Sequence, residues 1–218
     1  MNTLGRVFRE HLAESKRLVE QEFGIGLGKL GAYPLWQFDI REFRWEYEGF
    51  LYNIKSFFEE ASWSFSEWRY PSNYVAAHAG SKGVYYNSHV NGKLYSEVIA
   101  RVYLFHELYH RAIIKYAGHD DIFYNDFDLD LCELVDESFA EYMALRIMRR
   151  RFGYEGESMI RSLEVAWLGH ELKARKVPDN PRSIADFALK LGGDAYGAID
   201  SYEQYKKANY LSPVERKG

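Results

Sequence analysis

The chain has 218 residues, 47% of them hydrophobic and 17% aromatic, with one cysteine and a formal net charge of −4. That length suits one sizeable core, the charge makes no electrostatic case for nucleic acid or an anionic membrane, and a lone Cys132 excludes an intramolecular disulfide. No stretch approaches the ~18 consecutive apolar residues of a membrane span, and Met1–Phe23 has no apolar signal-peptide core, so the expected location is cytoplasmic.

Along the chain, Thr3–Phe23 places Leu4, Val7, Phe8, Leu12, Leu18, Val19 and Phe23 at helical spacing with charges opposite, an amphipathic helix. Gly24-Ile25-Gly26-Leu27-Gly28 ends it, and the context is wrong for a phosphate-binding loop, which follows a strand rather than a helix. In the next stretch Trp36, Phe38 and Ile40 alternate, as do Phe43, Trp45 and Tyr47, which predicts strands, with Glu48-Gly49 turning the chain into Phe50–Ile54; Tyr47–Ala61 reads equally as a helix. After a break at Pro71, Val75–Ala79 and Val84–Ser88 are two short strands joined by the turn Gly80-Ser81-Lys82-Gly83. Tyr95–Ala117 is a long helix stopped by Gly118, an acidic connection runs from His119 to Asp130, and Leu131–Phe152 is a second long helix with Arg149, Arg150 and Arg151 at the negative end of its dipole and Gly153 beyond. Three further helices are expected over Glu157–Lys176, Arg182–Leu191 and Asp194–Ala208, separated by Pro178-Asp179-Asn180-Pro181 and Gly192-Gly193.

The first long helix carries His106-Glu107-Leu108-Tyr109-His110. On a helix, two histidines at i and i+4 share one face, so both imidazoles can grip one metal ion with little further ordering. Catalytic zinc takes three protein ligands and leaves a position for water, whose pKa it lowers to about 7. Glu107, beside the first histidine, is placed to act as a base toward that water rather than as a ligand.

The third ligand is open on spacing alone. A histidine six residues after His110 would mark one class of such sites, but Tyr116 stands there and His119 is off the spacing. Glu137 lies 137 − 110 = 27 positions on, across a loop that allows an antiparallel return, with Glu133 and Asp136 as neighbouring competitors. Asp126, Asp128, Asp130 and Glu137 also fall at calcium-loop spacing, but Leu131 occupies the position where that loop turns on a glycine.

At these residues the chain resembles the gluzincins, zinc peptidases in which a glutamate on a helix after the HExxH helix completes the ligand set; Glu137-Ser138-Phe139-Ala140-Glu141 is similar to their ExxA(D/E) pattern. The resemblance implies zinc held by His106, His110 and Glu137, with Glu141 accepting a hydrogen bond from a ligating histidine. Upstream, Ala76–Ser88 resembles the strand, turn and edge strand before the motif helix in thermolysin-like members, which implies that Val84, Tyr85 and Tyr86 form an edge on which a peptide pairs. Val75 stands where that pattern has an asparagine. The oxyanion donor stays unassigned among His170, Tyr196, Tyr202 and Tyr205.

The expectation is therefore an α+β, zincin-like single domain: an N-terminal helix and loop over 1–31, a catalytic core over 32–153 with a small mixed sheet, and a C-terminal helical part over 154–218. Its expected function is zinc-dependent hydrolysis of peptides or unfolded protein. The alternatives are a catalytically latent zincin-like binding module, with the tail from Glu157 to Gly218 over the cleft, and a metal-free structural protein.

Overall fold

A computed structural model describes residues 3–37, 77–80, 82–87, 96–118, 133–154 and 162–209. The strands and turn expected between Phe38 and Ile54, the Pro71 break, Val75 and the acidic connection with its calcium-loop spacing lie outside the described residues. The architecture is mostly helical α+β: an N-terminal helix, a small mixed sheet, then five helices.

Helix α1 spans Thr3–Phe23, the range its apolar periodicity predicts. Leu4, Val7, Phe8, Leu12, Val19 and Phe23 are buried along one face. At Gly24 the backbone turns to φ +65°, a conformation that L side chains rarely adopt. Strand β1 is Gly31–Pro34, and a 3-10 turn over Leu35–Gln37 follows it. Trp36 thus lies in that turn rather than in an alternating strand, with Leu35 buried and Trp36 39% exposed.

Strands β2 (Ala77–Ala79) and β3 (Gly83–Tyr86) flank the predicted glycine-bounded turn. The sheet order among the described residues is β1-β3-β2. β1 runs parallel to β3, pairing Gly31 with Gly83 and Tyr33 with Tyr85, while β2 runs antiparallel, pairing Ala77 with Tyr86 and Ala79 with Val84. Glycine at 83 is demanded by that crossing, since a Cβ there would lie 2.4 Å from the Gly31 carbonyl oxygen.

Helix α2, Glu97–Tyr116, carries the HExxH residues. Ser96 caps it, its Oγ accepting from the Ile99 N–H at 3.2 Å, and Gly118 lies beyond its end at φ +91°. Ala100, Leu104, Phe105, Leu108, Tyr109, Ala112 and Ile113 are buried along it. Helix α3, Glu133–Phe152, answers with Val135, Phe139, Ala140, Met143, Ala144 and Ile147, so α2 is packed between α1 and α3. Helices α4 (Leu163–Ala174), α5 (Pro181–Gly192) and α6 (Ala195–Asn209) complete the described chain, with Asn180 capping α5 and Pro181 at its first turn. One apolar cluster runs from Leu4 on α1 to Ala198 on α6. No described helix is long and apolar enough to cross a membrane.

A polar chain runs from this core out to the surface at Asp179. The Tyr109 hydroxyl donates to Glu22 Oε2 at 2.6 Å, and Glu22 Oε1 accepts from Arg146 Nη1 at 3.2 Å. Arg146 Nε donates to Asp179 Oδ1 at 2.9 Å. The Arg146 and Glu22 side chains are only 7% and 15% exposed, so removing one charge strands the other away from water. Arg146→Met is expected to lower unfolding free energy by about 3–5 kcal/mol. Equilibrium urea denaturation measures this, and a loss below about 1 kcal/mol would show that the pair behaves like a surface one.

Candidate metal centre

His106 and His110 project from successive turns of α2, and Glu137 from the first turns of α3, because α2 and α3 pack side by side. The three side chains each offer a ligand atom, all within 4.8 Å of one another. Their separations form a triangle: His106 Nε2 to His110 Nε2 2.8 Å, His106 Nε2 to Glu137 Oε2 3.2 Å, and His110 Nε2 to Glu137 Oε1 3.5 Å. Tetrahedral zinc with ligand bonds near 2.0–2.1 Å sets its ligand atoms about 3.3 Å apart. The group therefore fits a metal ion of that size, and among the described residues it is the one His/Cys/Asp/Glu cluster of this kind.

The group opens to solvent on one side. The His106 and His110 side chains are 17% and 12% exposed, whereas that of Glu137 is 55% exposed. Burial would raise the Glu137 carboxyl, but the hydrogen bond to His106 and the charges of His110 and His106 outweigh it and bring it down to about 2. Burial would lower His110, yet the charge and hydrogen bond of Asp136, with Glu137 and Glu107, lift it to about 10.

Asp136 was visible in the sequence only as a rival ligand. Its Oδ2 instead meets His110 Nδ1 at 2.9 Å, which leaves Nε2 of that ring facing the group. Adjacent helical residues diverge by about 100°, so Asp136 and Glu137 reach opposite nitrogens of His110 from neighbouring positions. Glu141, on which the gluzincin resemblance places the bond to a ligating histidine, accepts a 2.8 Å hydrogen bond from Ser162 Oγ. Burial raises its carboxyl, with the Ser162 bond and the charge of nearby His106 acting the other way. Ser162 is also the cap of α4, so the start of that helix is tied to α3 beside the group.

Glu107 is 5% exposed, and burial raises its carboxyl above the usual range against the charges of His106 and His110. Val84, Tyr85 and Tyr86 correct the sequence reading: β3 is the middle strand, hydrogen-bonded to β1 and β2, and its residues are buried. The register makes this so, because β1 arrives in parallel on the side that the sequence left open. In the order β1-β3-β2, β2 is the strand with the larger contact on α2.

The oxyanion candidates have other company. The Tyr202 hydroxyl donates to Glu164 at 2.9 Å, and burial together with that bond pushes it up to about 12. Tyr205 and His170 pack ring to ring at 5.2 Å, and Tyr196 is 90% exposed.

His78 is the residue that sequence reasoning passed over. It stands in the middle of β2, and the fields of His110 and Glu137 reach it. A single histidine between alanines carries no spacing signal; only the packing of β2 on α2 brings it near. Comparisons of the chain with protein families, with curated proteins and with solved structures return no match.

Burial drives the His78 imidazole down to about 3 from an ordinary 6.5, with the His110 charge acting in the same sense and Glu137 against it. Between those pH values the unfolded chain binds a proton there that the folded chain refuses. The contribution is thus complete above pH 6.5 and lost as pH falls toward 3, at no more than about 1.4 kcal/mol per pH unit. Urea unfolding of chelator-treated protein across this range should show that slope, reduced by up to one proton in His78→Leu; identical slopes in both proteins would refute it.

Proposed function

We propose that this protein is a zinc-dependent peptidase in which His106, His110 and Glu137 hold the metal and Glu107 acts as the base. The observation that carries this reading is the 2.8, 3.2 and 3.5 Å triangle of donor atoms, directly beside Glu107 in sequence. Two neutral nitrogens and one carboxylate, with a fourth position left free, are the donor set of catalytic rather than structural zinc. A bound zinc ion supplies a Lewis acid that acidifies water to a pKa of about 7 and polarises a carbonyl.

The chain's own groups would do the rest. With a metal bound, Asp136 would accept a hydrogen bond from His110 Nδ1–H, which would fix the tautomer and leave the Nε2 lone pair for the metal. Glu107 would take a proton from the attacking water and pass it to the leaving amine, a task suited to a carboxyl that burial raises above its ordinary range. An extended peptide would pair with the small sheet beside α2. The C-terminal helices reach the group through Ser162 and Glu141.

A second reading, a zincin-like module that binds peptides without cleaving them, draws on the burial of Glu107 at 5% exposure, since a base must meet water. The two readings part on turnover. Purified protein should hold about one zinc per chain by elemental analysis. Glu107→Ala should keep that zinc while losing ~10²–10⁴-fold in hydrolysis of unfolded protein, and Glu137→Gln should weaken zinc retention ~10-fold or more. Undiminished hydrolysis by Glu107→Ala would rule out its role as base, and zinc without any hydrolysis in the parent protein would leave the binding module.

A further inference from the structure

A cavity of about 370 Å³ opens between α3, the first turn of α4 and the turn before α5, and every residue that lines it is among those described. That volume is at the small end of the range for small-molecule sites, about 300–1,000 Å³. The cavity is separate from the metal group: Arg149 on its wall lies twelve residues beyond Glu137, about 18 Å along α3. Arg146, Arg149 and Arg150 all line it, standing at i, i+3 and i+4 and so on one face of the helix.

The three guanidiniums are not equally committed. Arg146 is held by Glu22 behind it and by Asp179. Arg150 donates to Asp179 Oδ2, but those side chains are 48% and 61% exposed, where an ion pair is worth little. Arg149 is exposed, and neither its guanidinium nor the half-buried Tyr142 hydroxyl makes a hydrogen bond among the described residues. Burial raises that hydroxyl and Asp179 acts in the same sense, while all three arginines act against them, so it lies in the field of each. The rest of the lining is apolar: Leu145 on α3, Val165 and Ala166 on α4. Glu164, next to Val165, is turned to the Tyr202 hydroxyl. Set against Asp179 in the cavity and Glu22 behind it, the three arginines leave one positive charge over. A carboxylate would cancel that charge and match the planar fork of Arg149 with two parallel bonds. A phosphate dianion would leave the cavity negative.

We propose that this cavity binds a small apolar carboxylate, its oxygens on Arg149 and the Tyr142 hydroxyl and its body against Leu145, Val165 and Ala166. Such a carboxylate is either a free organic acid or the C-terminal end of a peptide. Asp179 is the chain's own competitor, since its carboxylate draws on Arg150 and Arg146. The site stands independently of the peptidase reading.

The test uses full-length protein treated with chelator, so that no metal competes for carboxylates. It is titrated calorimetrically with 3-phenylpropionate, with the neutral 3-phenylpropanamide and with phenyl phosphate. The acid should bind saturably and about tenfold or more tighter than the amide, and more tightly than the phosphate. Arg149→Gln, which removes no hydrogen bond among the described residues, should weaken the acid by about tenfold or more and leave the amide unchanged. Tyr142→Phe should weaken the acid to a lesser degree, and Asp179→Asn, which takes away the competing carboxylate, should tighten it. N-acetyl-phenylalanine separates the two sources: tighter binding than 3-phenylpropionate assigns the cavity to a peptide end, weaker binding to a free acid. Equal affinity for acid and amide, an acid affinity indifferent to Arg149→Gln, or no saturable binding of either acid would overturn the proposal. Tighter binding of phenyl phosphate would overturn the assignment to a carboxylate.

Discussion

Everything near the metal group depends on one helix serving two masters. α2 must be apolar enough to sit between α1 and α3, and it must present two imidazoles one turn apart. The sequence reconciles these demands by interleaving them: Leu104, Phe105, Leu108, Tyr109, Ala112 and Ile113 are buried, while His106 and His110 fall on the remaining stripe. Because the buried residues flank the histidines on both sides, the rings are carried by a helix that cannot rotate without emptying the core. The ordering of the two imidazoles is therefore a by-product of packing.

The same packing decides which residues of other elements can join. α3 lies alongside α2, so the start of α3 comes opposite the histidines and its later turns run past them. Asp136 and Glu137 arrive together at His110, Glu141 one turn on faces the start of α4, and Arg146 reaches the Glu22–Tyr109 pair. Successive turns of α3 thus serve the candidate metal group, the docking of α4 and the buried ion pair. Tyr109, adjacent to His110, shows how close the structural and chemical networks run: its hydroxyl serves α1 and α3 while its neighbour's ring faces the metal group.

What was legible in the sequence follows from this geometry. Helix periods show in apolar spacing, so α1 coincides with its expected range and the motif helix, with its glycine stop, lies within two residues of the expected start. The β2–β3 turn was legible because glycines mark it. Strand order was not, since β1 and β3 are parallel partners some fifty residues apart, paired at Gly31 and Gly83, and parallel pairing leaves no local turn signature. The roles of Asp136 and Glu141 differ from a pattern-based expectation for a related reason. Asp136 and Glu141 stand five residues apart, and only the rotation of α3 about its axis decides which meets an imidazole. The carbonyl partners of Arg111 come from segments 31 and 84 positions away, which no local pattern shows.

The charge balance of the group bears on what it is built to hold. Asp136, Glu137 and Glu107 all act on His110, and together they lift it to about 10 even though its burial works the other way. Glu137 falls to about 2 for the reciprocal reason. Both shifts express the pairing of Asp136 and Glu137 with the two imidazoles, Asp136 at Nδ1 of His110 and Glu137 at the point where the two Nε2 atoms converge. A proton can serve that point only in part, because two nitrogens 2.8 Å apart share one hydrogen bond and cannot each carry a proton toward the other. A divalent cation at that point would satisfy both nitrogens and the Glu137 carboxylate at once, and Asp136 would keep its bond to Nδ1 throughout. Two imidazole nitrogens and a carboxylate that converge on one point form a group that could hold a metal ion.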